Sequence, residues 1–174
     1  MDTFWKTVVD HQFGAAIDML ENAIRACPDD VWSDPTKKPE WVANDIVGFW
    51  YLAYHTLFFL DFYLSDSMED FGPPAPFNRD ELDPAGLLPD QPYSKDVLLH
   101  YLDHCRSKCH QAIDSLTDEK ARQPSPFRPE QNLTVAERLL YDMRHVQHHA
   151  AQLNLILRQK SDSAPGWVSS SRQR

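Results

Sequence analysis

A chain of 174 residues, 42% of them apolar, is long enough for one domain burying about two-thirds of its unfolded surface, and too apolar to be disordered. Seventeen basic against 26 acidic residues give a net charge of −9, which repels nucleic-acid phosphates and anionic lipid, so neither nucleic acid nor membrane is expected as a partner. Only 5 glycines disfavour an architecture of many tight hairpins, and the 13 prolines cluster between elements rather than inside them.

Four segments show helical periodicity. The first spans Thr3 to Ala26, where Trp5, Val8, Val9, Phe13, Ala16, Met19, Leu20, Ala23 and Ile24 recur at three- and four-residue steps. Asp2 can cap its start, and Pro28 lies beyond its end. The second spans about Ala43 to Ser65, with Asn44 or Asp45 as N-cap. It is apolar nearly all round, which implies burial between neighbours. Its core, Ile46 to Leu64, contains Tyr51, Tyr54, His55, Asp61 and Tyr63, too polar for a membrane span.

The third segment spans Ser94 to Leu116 on a stripe of Leu98, Leu102, Cys105, Cys109, Ala112 and Leu116. The fourth opens at Thr134, which has capping-box spacing with Glu137, and continues to about Gln159 on Val135, Leu139, Met143, Val146, Ala150, Leu153 and Leu157. No segment shows the alternation of a strand. The fold expected is all-α: a four-helix bundle in a single domain over 1–174, with a Ser-rich tail over 161–174 that frays at its end. The connection from Asp66 to Tyr93, with Pro73, Pro74, Pro76, Pro84, Pro89 and Pro92, is long for a compact bundle and reads either as a functional lid or crossover or as a surface excursion.

Cys27, Cys105 and Cys109 are odd in number, and the last two lie one turn apart on one helix. They read as buried reduced thiols of a cytoplasmic protein. The N-terminus has no basic segment followed by an apolar stretch, so no signal peptide is expected.

Eight histidines remain to be sorted. His145 and His149 are four apart on the fourth helix and can send two imidazoles to one metal ion, whereas His148 projects away and is expected in solvent. The same spacing arises readily by chance. His100 and His104 repeat it on the polar side of the third helix, beside Lys108 and Gln111, and read as a solvated face. His55 sits among Leu52, Phe58, Phe59 and Phe62. A buried imidazole there needs partners for its nitrogens, and either a metal ion or a tyrosine or carbonyl of the core could supply them.

This pattern resembles the DinB-like superfamily (DNA-damage-inducible protein, YfiT-like) of metal-binding bundles. The likeness lies in a single histidine midway along the second helix, here His55, and a His-x3-His pair in the fourth, here His145 and His149. The stretch from Arg144 to Arg158 and the tail Ala164-Pro-Gly-Trp-Val168 carry it further. The resemblance implies an up-up-down-down bundle with a long crossover between helices two and three, a metal held by the three histidines with waters completing the shell, and a homodimer. It also implies relatives that include thiol-dependent S-transferases and isomerases using low-molecular-weight thiols.

Three imidazoles leave a divalent ion with open positions, the arrangement of a catalytic centre, and they suit Zn, Ni, Fe or Co without choosing among them. The expected activity is a metal-dependent transferase, thiol-dependent or not, or a hydrolase, acting on a small molecule. A dimeric, stress-associated metal-binding bundle without turnover is the alternative. Asp142, one turn before His145, reads as a base, a partner for a ligand nitrogen or a solvated surface aspartate. Tyr51, one turn before His55, reads as pocket lining or core. Trp32, Trp41, Trp50 and Trp167 read as core or loop anchors, and the cysteines lack the electropositive setting of a nucleophile.

Overall fold

The computed structural model describes residues 2–34, 48–85, 87, 89, 91–127 and 129–171. Among them every regular element is helical: α1 (Thr3–Ala26), α2 (Asp29–Trp32), α3 (Phe49–Tyr63), α4 (Lys95–Ser115), α5 (Asp118–Arg122) and α6 (Val135–Ser161), with two short 3-10 turns. α1 and α3 each pack against both α4 and α6 and touch one another little. The apolar stripes therefore meet in one core that includes Phe13, Leu20, Leu57, Leu102, Val146 and Leu153.

The caps follow from side-chain chemistry. Asp2 accepts the Phe4 N–H at the start of α1, and Ser94 accepts the Val97 N–H at the start of α4. At α6 the Thr134 side chain accepts from Glu137 N–H while the Glu137 carboxylate accepts from Thr134 N–H, so two otherwise orphaned donors are satisfied reciprocally.

Three sequence expectations need correction. The second long helix starts at Phe49, because Gly48 is extended and forms its N-cap; Asn44 and Asp45 lie outside the described residues. Besides the four expected helices the chain forms the short α2 and α5, which have too few residues to show a period. Trp5, expected on the apolar stripe of α1, and Trp167, expected as a core or loop anchor, are exposed at 56% and 72%, while Trp32 and Trp50 are buried as expected and Trp41 lies outside the described residues. The tail is held as far as Ser171, whose N–H donates to His11 O at 3.0 Å, while Gln12 Nε2 donates to Ser169 O at 3.1 Å.

Gly48 permits the close approach of α2 to the start of α3. A Cβ there would sit 3.0 Å from Trp32 O and 3.1 Å from both Asp34 O and Ser33 C, all of them backbone atoms that cannot rotate away. Gly48→Ala should therefore destabilise the fold by about 1–3 kcal/mol, seen as a lower urea midpoint at unchanged slope.

The linker between α3 and α4 is pinned to the core by aromatic rings. Phe71 packs edge-on against Phe58 at 5.3 Å and Phe62 at 5.1 Å, and Phe77 stacks on Tyr101 at 4.2 Å. Burying each phenyl contributes about 1.5–3 kcal/mol. This covers the side of α3 that faces neither α4 nor α6, which explains why α3 is apolar all round. The same anchors carry the 3-10 turn Asp80–Leu82 toward His55.

Candidate metal centre

α3 supplies His55 and α6 supplies His145 and His149, one turn apart. One ligand nitrogen from each of the three lies within 4.8 Å of the others. The ring centroids are 5.6 Å apart for His55 and His145, 5.2 Å for His55 and His149, and 4.5 Å for His145 and His149. All three side chains are partly buried. His148 is exposed, as are His100 and His104. Their ring nitrogens are engaged elsewhere: His100 Nδ1 lies 2.7 Å from Asp96 O, and His104 Nε2 lies 3.4 Å from the Asp61 carboxylate.

The chemistry of the donors fits a cation. His149 Nδ1 lies 2.7 Å from Gln152 Oε1, and an amide oxygen only accepts, so Nδ1 carries the proton and Nε2 keeps its lone pair. His55 Nδ1 lies 2.8 Å from Glu81 Oε2, a carboxylate oxygen, which likewise leaves the lone pair on the Nε2 of His55. The Nε2 atoms of His145 and His149 are 3.1 Å apart. With metal–nitrogen bonds of about 2.0–2.1 Å, angles from octahedral to tetrahedral put ligand nitrogens roughly 2.8–3.4 Å apart, so this pair is already spaced for one shared ion. Burial pushes the His149 pKa down to about 4, helped by His55 and His148 and opposed by the Gln152 hydrogen bond. A neutral imidazole is the form that binds metal.

The surround is aromatic. Phe59 lies 4.8 Å from His55 and 6.0 Å from His145, Tyr51 lies 6.1 Å from His55, and Tyr63 lies 6.5 Å from His145. Tyr51 is buried, and its hydroxyl pKa is raised first by burial and then by the Glu81 carboxylate. Asp142 is a correction. Instead of a solvated aspartate, the structure has a fully buried one, whose pKa burial drives well above the ordinary carboxylate range. It lies at the centre of the core-facing surface of α6, where an i−3 step from His145 turns it inward rather than outward. The three cysteines are free and buried; burial raises Cys27 to about 12 and Cys105 and Cys109 upward as well, so none is a ready nucleophile.

Sequence reasoning missed Glu81 and Gln152. Gln152 follows His149 by three residues on one helical face, so helical spacing could have found it. Glu81 reaches His55 only through the path of the linker, which leaves no periodic signal.

Helices that bring three imidazoles from two elements to one point define a protein that could hold one metal ion in a helical scaffold. The family model described as the DinB superfamily matches residues 12–153. The chain belongs to the DinB superfamily. The match includes all three histidines and stops short of the tail segment from Ala164 to Val168. No curated protein and no solved structure matches the chain. No helix among the described residues is long and apolar enough to cross a membrane.

Proposed function

We propose that the chain is a single-domain four-helix bundle, with the 66–93 linker as its crossover, that holds one divalent ion through His55, His145 and His149. On this reading it is a metal-dependent enzyme: a small-molecule transferase using a low-molecular-weight thiol, or a hydrolase. The observation that supports it is the convergence of three imidazoles, two of them with Nε2 atoms 3.1 Å apart. Zn, Ni, Fe or Co suits such donors. A homodimer in the cytoplasm is the proposed setting.

When bound, the ion supplies a Lewis acid that acidifies a coordinated water or thiol. The protein's part is to keep the ligands neutral, hold their rings in place and limit water. Burial keeps His149 unprotonated, Gln152 and Glu81 fix two tautomers, and Phe59, Tyr51 and Tyr63 wall the histidines with rings.

One observation favours a second reading, metal binding without turnover. The two acid–base candidates are sealed: Asp142 is fully buried and Tyr51 is 3% exposed, and burial favours the protonated form of both. Neither can take a proton from a substrate, so catalysis would have to come from the ion and its bound nucleophile.

Metal analysis of untagged protein, followed by an assay of glutathione-like thiols with electrophilic substrates, separates the readings. About one ion per chain with turnover lost to a chelator is the expected result. An ion with no turnover across thiol and ester substrates selects the second reading. No metal under either condition ends both.

A further inference from the structure

Glu81 is a costly residue to bury. Its side chain is 3% exposed, it comes from an irregular linker, and its Oε1 is buried without a hydrogen bond while Oε2 takes the His55 Nδ1–H at 2.8 Å. A carboxylate withdrawn from water loses several kcal/mol of solvation unless opposite charge and hydrogen bonds replace it. Its hydrogen-bond partners are the His55 ring and the Tyr51 hydroxyl, and neither reaches the buried Oε1.

We propose that Glu81 is a positioning residue of the three-histidine centre: it fixes His55 with its Nε2 lone pair facing His145 and His149, and so couples the 66–93 linker to metal binding. A divalent ion on the far nitrogen would polarise His55, strengthen the Nδ1–H donated to Glu81 and bring positive charge close to this buried carboxylate. The inference rests on the metal reading above for its second half. Its first half, the tautomer, is a property of the metal-free chain.

Coupling runs both ways. If docking of the turn raises metal affinity by some factor, metal binding stabilises docking by the same factor. The turn contains its own reporters, because Leu82 N–H donates to Arg79 O and Asp83 N–H donates to Asp80 O, both at 2.9 Å. A linker fastened only by Phe71 and Phe77 would leave these amides indifferent to an ion at the histidines.

The test uses the full chain and its Glu81→Gln and Glu81→Leu variants. Ring-nitrogen NMR of the metal-free proteins at neutral pH reads the His55 tautomer, zinc affinity is measured by chelator competition, and amide exchange is followed at Leu82 and Asp83 with and without zinc. We expect a single Nδ1–H tautomer in the parent chain and mixed tautomers in Glu81→Leu. Zinc affinity should fall about 10–100-fold in Glu81→Leu and less in Glu81→Gln, whose amide oxygen still accepts. Zinc should slow exchange at both amides in the parent chain and not in Glu81→Leu. An unchanged tautomer in a folded Glu81→Leu, or two protonated ring nitrogens on His55 in the parent chain, overturns the positioning role. A changed tautomer with unchanged zinc affinity overturns the coupling. If the parent chain binds no zinc, nickel, iron or cobalt at all, the metal reading falls, while the NMR arm still decides whether Glu81 sets the ring.

Discussion

Replacing His149 by alanine should abolish stoichiometric metal and leave the helices intact. The parent chain is expected to retain about one divalent ion through desalting, and His149→Ala to lose affinity by more than the roughly 10–100-fold that removal of a mere hydrogen-bond partner of a ligand costs. The reason is geometric. His145 and His149 form the close pair, with Nε2 atoms 3.1 Å apart, and His55 approaches from a different helix. Without His149 the remaining two nitrogens come from separate elements, and no two-point chelate on one rigid helix survives. The fold should tolerate the loss, since His149 is only partly buried and the core residues flanking it, Val146, Ala150 and Leu153, are untouched. Elemental analysis with circular dichroism checks both halves. Full metal content in the alanine variant would refute the assignment. The same experiment on His100→Ala is the control, because that ring already faces its own helix's carbonyl oxygen at 2.7 Å.

How far the sequence reveals this arrangement depends on how local each feature is. α1, α4 and α6 are legible to within about two residues because their apolar stripes, N-caps and flanking prolines are all encoded within the segment itself. The start of α3 is not, since Gly48 caps it only where the backbone of α2 crosses close by. The histidine pair on α6 is visible as a spacing, yet that spacing is shared by His100 and His104, and only the third ring from α3 distinguishes the two. Whether Asp142 points in or out turns on the width of the buried face of α6, which periodicity alone leaves open by tens of degrees. Glu81 lies beyond any such reasoning. Its partner is 26 residues away, and the path between them is set by Phe71 and Phe77 entering the core.

Asp142→Asn should make the protein more stable than its parent at neutral pH, with the advantage growing as pH rises. Asp142 is fully buried, and neither carboxyl oxygen takes a hydrogen bond. The two cations that favour its charged form are committed elsewhere. Lys108 Nζ lies 2.5 Å from Asp61 Oδ1 and 2.7 Å from Ser65 Oγ, while Arg138 donates to Phe127 O at 2.9 Å and packs on the ring of Tyr141 at 4.7 Å. Asp61 adds like-charge repulsion. Burial therefore wins, and Asp142 keeps its proton in the folded state well past the point at which it ionises in the unfolded chain.

The sign follows from proton counting. Below the ordinary aspartate pKa of 3.8 both states are protonated and Asp142 makes no pH-dependent difference. Above it the unfolded state releases a proton that the folded state retains, so stability falls with rising pH by up to about 1.4 kcal/mol per unit until the folded carboxyl itself ionises. Asparagine has the same shape and no proton to lose, so its stability lacks this term. Urea unfolding of both proteins at several pH values between about 4 and 8 measures the difference directly, and the comparison at the acid end removes any fixed effect of the amide. A difference independent of pH would mean that Asp142 ionises in the folded core. It would then place a negative charge one turn from His145, where it would favour a bound cation and reopen its case as a base.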